Sequence, residues 1–141
     1  GAGLAGASRG MTGGEIVVLG SAGRDAAARA RRGLVAVCGD AGEHAARAMI
    51  AGTVVVLGRV GAGAGTGSKR GSLVAGGAVD VPPTYRFACT YHPPHVRLLL
   101  THLRRRHKID VDDRFVSGLY ERWAGDVSTV GRGEILAWTA R

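Results

Sequence analysis

The chain of 141 residues is 45% apolar and 21% charged, with a net charge of +8 carried by 17 arginines and two lysines. This is too apolar for a disordered chain. With 4 prolines and no glycine at every third position it is not collagen, and no apolar run approaches the ~18 residues of a membrane-spanning helix. Cys38 and Cys89 cannot build a disulfide framework and suit a reducing, cytoplasmic setting, while the positive charge favours an anionic partner.

Glycine supplies 24 residues, and its spacing is the most informative feature. The segments Gly14–Gly20, Gly33–Gly39, Gly52–Gly58 and Gly71–Gly77 each follow the last by 19 residues. Gly14, Gly33, Gly52 and Gly71 form one column; Gly1, Gly20, Gly39, Gly58 and Gly77 form another. Gly23, Gly42 and Gly61 make a third column, and Ala7, Ala26, Ala45 and Ala64 a fourth. Columns kept in phase over four periods are the mark of a solenoid.

Each repeat holds one short β-branched run bounded by glycine, which reads as a strand. Equivalent strands then stack in parallel, about 4.8 Å apart. Glycine columns suit corners of positive φ or close backbone contact, and the alanine column suits a narrow inward corner. The predicted fold is mainly β: a right-handed parallel β-helix of 19-residue coils over residues 1–80, with a small helical cap over 81–141. A 19-residue period does not fit three six-residue faces of a left-handed hexapeptide helix, and the Leu/Asn ladder of leucine-rich repeats is missing. Ile16, Val35, Val54 and Leu73, with Val18, Val37, Val56 and Ala75, are expected inside. Val17, Ala36, Val55, Val74, Leu19, Cys38 and Leu57 face outward yet are apolar. A parallel sheet apolar on both faces is covered on both, here by a helix of the same chain or by a neighbouring subunit. On the second alternative, Val55→Asp would part the subunits without unfolding the coils.

From Pro82 the repeat stops. Pro82-Pro83-Thr84-Tyr85 is extended, and Pro94 suits the first turn of a helix over 95–107. Val96, Leu99, Leu100 and Leu103 form its apolar stripe, and Arg104 to Lys108 place cations where the helix dipole favours them. A second helical segment is expected over 115–123, ending at Gly125-Asp126, and a last strand over 133–138. Gly1 already falls in the repeat register with no initiator Met or signal pattern before it. Further coils are therefore expected before it, the chain being a fragment or a processed product.

Gly14-Glu15-Ile16-Val17-Val18-Leu19-Gly20-Ser21-Ala22-Gly23 and its repeats resemble the GXGXG β-helix at the C-terminus of glutamate synthase. The chain is more similar still to the GXGXG-bearing subunit of formylmethanofuran dehydrogenase and to its relative in the bacterial formyltransferase/hydrolase complex. That resemblance runs on through Lys69-Arg70-Gly71-Ser72-Leu73-Val74, the Pro-Pro-Thr-Tyr turn, the Leu-rich helix, Ala124-Gly125-Asp126 and Gly131-Arg132-Gly133-Glu134-Ile135-Leu136. It covers nearly the whole chain but only the C-terminal half of a typical member. It implies a noncatalytic scaffold, without catalytic or metal-binding residues of its own. The complex would transfer a formyl group between tetrahydromethanopterin and a methanofuran-type carrier and hydrolyse it to formate. The implied partners are hydrolase-like and formyltransferase subunits. The implied alternative is the corresponding subunit of a molybdenum or tungsten formylmethanofuran dehydrogenase. An Ala-rich, Arg-over-Lys composition, usual in GC-rich bacteria, tips the choice to the bacterial complex. A glutamate-synthase-type domain would instead bring flavin and iron–sulfur partners.

The implied carrier bears a tail of glutamyl carboxylates, and arginine can bind a carboxylate through two parallel hydrogen bonds. Lys69 and Arg70 beside the Gly-rich corner, and Arg86 after the Pro-Pro turn, are the candidate contacts for that tail or for an acidic neighbouring subunit. Cys89, His92 and His95, with His102 beyond, have metal-like spacing, but no second Cys pair supports them, so a structural role is expected. Gly61 to Lys69 looks like a phosphate loop, yet it lacks the Gly-Lys-Ser/Thr order and a strand follows it, so it reads as a corner. Asp110, Asp112 and Asp113 are too few for a calcium loop. The basic run Arg104 to Lys108 could mark a nucleic-acid-binding solenoid, but it lacks the interleaved aromatics such surfaces use.

Overall fold

A computed structural model describes residues 10–139. Gly1 and Ala7, the first members of their columns, lie outside the described residues. Strands β1 (Thr12–Val18), β2 (Arg32–Val37), β3 (Thr53–Val56) and β4 (Arg70–Ala75) come from the repeats. The tail contributes β5 (Arg86–Tyr91), helices α1 (Pro94–His107) and α2 (Asp113–Ser117), then β6 (Leu119–Gly125) and β7 (Arg132–Thr139). These seven strands join one sheet in the order β1-β2-β3-β4-β7-β6-β5. The first five in that order are parallel neighbours, and β6 and β5 are antiparallel additions.

The 19-residue period is the pairing register itself: Val35 faces Val54 and Val54 faces Leu73. A second row of parallel bridges runs Ala22, Ala41, Val60, Val79, again one period apart. Between the rows lies a turn in which alternate residues take positive φ: Asp25, Ala27 and Arg29, then His44, Ala46 and Ala48, then Gly63, Gly65 and Gly67. Its amides bond to the adjoining repeats, as in Ala46 N–H to Ala26 O and Gly65 N–H to Ala45 O, both 2.8 Å. The stretch resembling a phosphate loop is the copy of this turn whose positive-φ positions are all glycine, the residue that adopts them without steric cost.

One core lies between the sheet and the turns and includes Val35, Val54, Leu73 and Ile135, with Val37, Val56, Ala75, Ala45 and Ala64. Ile16, expected inside, is 40% exposed, because among the described residues β1 ends the sheet and has a neighbour on one side only. The other face of the sheet carries a second core, in which Leu34, Ala36, Val55, Val74 and Leu136 meet Val96, Leu100 and Leu103 of α1. Ile109, Val111, Phe115 and Tyr120 complete it. The apolar outer face is thus covered by the chain's own tail, the first of the two expected covers, so Val55 is not free to serve as an intersubunit surface. Leu19 is the exception on that face, at 76% exposure.

The segment 115–123 is helical only as far as Ser117 and then turns into strand β6. Asp112 caps α2 by accepting the Arg114 N–H at 2.9 Å, but the helix ends at Ser117. Gly118 is extended there, and a Cβ on it would sit 2.2 Å from Arg114 O. Tyr120, Glu121, Arg122 and Trp123 then find backbone partners on both sides, β5 and β7. Pairing on both sides, with one irregularity between Phe87 and Cys89 on β5, outweighs the few bonds of another helical turn. Strand β5 has no counterpart among the expected elements; it borders β6 and carries the edge-to-face pair Phe87–Trp123, with centroids 5.4 Å apart.

Asp126 docks the loop after β6 onto the repeats. Its buried carboxylate accepts the Gly67 N–H at 2.9 Å, the Ser128 N–H at 2.9 Å and the Ser128 hydroxyl at 2.6 Å. Burial is the largest influence on its pKa and pushes it up, but these bonds together outweigh it and hold the carboxyl below the usual range. A carboxyl with a lowered folded pKa adds stability that is complete above the unfolded value, near pH 4, and is lost as pH falls through the folded value. Asp126→Asn is expected to cost ~1–3 kcal/mol at neutral pH, with the gap to wild type closing in acid. Urea unfolding at both pH values measures this; a gap independent of pH would contradict it.

Candidate functional site

Positions 31, 50 and 69 stand one period apart, as do 32, 51 and 70. The fold therefore brings Arg31-Arg32 and Lys69-Arg70 to one surface, two rungs or ~10 Å apart. Together with Ile50 and Ala51 on the middle rung they line a groove of about 350 Å³. Arg132 on β7 is paired in register with Arg70 and extends the row of cations by one strand. All five side chains are exposed. Among the described residues no carboxylate lies within ion-pair distance of Arg31, Arg32, Lys69 or Arg70. Such a surface attracts a chain of anions and holds carboxylates by forked hydrogen bonds.

Lys69 and Arg70 sit in this groove, whereas Arg86 does not. It is exposed on β5, three strands from β4. Sequence reasoning misses Arg31 and Arg32, although a signal exists: they precede Lys69 and Arg70 by two periods of 19.

The histidines and cysteines split up. His92 donates from Nδ1 to Gly118 O at 3.0 Å, beside a pocket of about 370 Å³ under the start of α1. His95 Nε2 lies 3.5 Å from Glu134, whose carboxylate also accepts Ser72 Oγ–H and Arg122 Nε–H, both at 2.7 Å. The Glu134 hydrogen bond raises the Arg122 pKa, and the pair ties β6, β7 and β4 together. Cys89 is an exposed free thiol. His102 instead meets Glu15 and His107, and its hydrogen bond, followed by that of His107, holds the Glu15 carboxyl below the usual range.

The basic run at the end of α1 is dispersed as well. Arg104 donates to Val111 O from Nε at 3.0 Å and to Asp113 at 2.6 Å, His107 turns to Glu15, and Lys108 takes the left-handed C-cap at φ 55°. Of this run, the side chains of Arg105, Arg106 and Lys108 have no such tie among the described residues, and three cations without interleaved aromatics are too little for a nucleic-acid-binding face. No helix among the described residues is long and apolar enough to cross a membrane.

No family model and no curated protein matches this chain. Among solved structures it is similar to a chain of the formyltransferase/hydrolase complex (FhcABCD) from Methylorubrum extorquens, determined in complex with methylofuran. The two are 36% identical with a TM-score of 0.82, over 95% of this chain and 49% of the other. The chain thus spans about half the length of the chain it matches.

Proposed function

We propose that this chain is part of a scaffold subunit of a formyltransferase/hydrolase-type complex, without an active site of its own. The observation that carries the reading is the similarity across 95% of the chain to a component of that complex. In this reading the repeats are coils of a right-handed parallel β-helix, with residues 81–141 as their cap. The constant 19-residue offset in two separate rows of parallel pairs supports it. The partners are formyltransferase and hydrolase-like subunits, which pass a formyl group from tetrahydromethanopterin to a methanofuran-type carrier and release formate.

The groove of Arg31, Arg32, Lys69 and Arg70 fits the polyanionic tail of such a carrier. Its cations have no carboxylate partner among the described residues, and the apolar Ile50 and Ala51 between them suit the methylenes of glutamyl units. Arg86 serves a neighbouring subunit instead. Coexpression with the formyltransferase and hydrolase-like subunits should yield one stoichiometric complex by native mass spectrometry. Failure of the chain to associate with either would refute the scaffold reading.

The tail is tested separately on the 141-residue chain with a fluorescent oligoglutamate. Replacing the four groove cations by Gln should weaken binding at least ~10-fold at low salt and flatten its salt dependence, since each bidentate pair is worth a kcal/mol or more. Arg86→Gln should leave it unchanged. Equal binding by the four-residue variant and wild type would remove the groove from the proposal.

A further inference from the structure

Glu15 on β1 and His102 and His107 on α1 form a cluster that the function above does not use. His102 Nε2 lies 2.9 Å from both carboxylate oxygens of Glu15, and His107 Nε2 lies 3.1 Å from Oε2. One donor atom from each of the three falls within 4.8 Å of the other two. The two rings meet edge to face with centroids 5.7 Å apart, so both present the same ring nitrogen to one carboxylate.

Two imidazoles and a carboxylate are the ligand set of three-ligand zinc sites, which keep a fourth position for water. With metal–ligand bonds of ~2.0–2.1 Å, a tetrahedral site has ligand–ligand edges of ~3.3 Å. The observed nitrogen–oxygen separations are shorter by only a few tenths of an ångström, so an ion could enter with small side-chain rotations. It would take the place of the imidazole protons that now bridge to Glu15. The three side chains are partly exposed, at 31% for Glu15, 44% for His102 and 27% for His107, which leaves an entry path from solvent.

We propose that Glu15, His102 and His107 bind one divalent ion of the zinc class, and that this ion clamps the C-terminal end of α1 to β1. The placement gives the clamp its purpose. Among the described residues strand β1 is paired on one side only, and α1 covers the outer face of the repeats. An ion shared between them resists peeling of the helix from that end.

The test uses the tag-free chain, stripped with chelator and titrated with Zn2+ and then with Co2+, whose visible d–d bands report tetrahedral coordination by nitrogen and oxygen. One ion per chain is expected. His102→Ala or Glu15→Gln should weaken binding at least ~100-fold, beyond the 10–100-fold usual for a group outside the ligand set. Zn2+ should raise the thermal midpoint of wild type and leave that of His107→Ala unmoved, as linkage requires. His92→Ala and His95→Ala serve as controls and should bind like wild type. The proposal is overturned if no stoichiometric ion binds, if the double variant His102→Ala/His107→Ala still binds it, or if the controls lose it equally.

Discussion

Val55→Asp is expected to unfold the domain or strip the tail from the repeats, at a cost of at least ~4 kcal/mol. Val55 is fully buried against α1 and the segment that follows it. A carboxylate there would have apolar neighbours and no cation, and it would either stay charged at high cost or take up a proton. Typical domains are stable by only ~5–15 kcal/mol, so this one change uses much of the total. Urea unfolding should show the midpoint collapse, with Val127→Asp at a half-exposed site as the neutral control. A Val55→Asp chain that unfolds like wild type but no longer binds partner subunits would show the face to be an interface after all.

Gly77→Ala is the second large effect, and its size comes from one methyl group. A Cβ at Gly77 would lie 2.4 Å from Gly58 O and 2.5 Å from Gly58 C, both backbone atoms of the adjoining repeat. Neither can rotate away, so the rungs must part, at about 3 kcal/mol or more. Gly20→Ala, in the same column, should cost less, since no described residue lies within 4 Å of its Cβ. Gly52→Val belongs to the other column, where the demand is φ of 106° rather than contact alone, and a cost of ~1–3 kcal/mol is expected. Thermal midpoints of the three variants rank these mechanisms. A Gly77→Ala chain as stable as wild type would mean that the column does not stack.

The two glycine columns look alike in the sequence and differ in the structure. Gly33, Gly52 and Gly71 combine φ near 100° with close approach, a Cβ on Gly33 or Gly71 falling 2.6 or 2.7 Å from a backbone oxygen, while Gly39, Gly58 and Gly77 are needed for close approach alone. Counting residues could align both columns but could not tell torsion from contact. The cations at 31, 32, 69 and 70 stood in register in the same way, and only the stacked rungs turned a multiple of 19 into a groove.

By itself the sequence determined the period, the parallel register, the inward and outward apolar rows and the span of α1. All of these follow from patterns that repeat within a few residues or at a constant interval. Only the tertiary structure decided that Tyr120 to Trp123 extend a sheet rather than a helix, because their preference was settled by empty ladder positions on β7 and β5. It alone decided that α1 covers Val55, and that Glu15 meets histidines 87 and 92 residues away. Contacts at such separations carry no local or periodic signal. They exist only once loop closure has been offset by the burial of the surfaces between them.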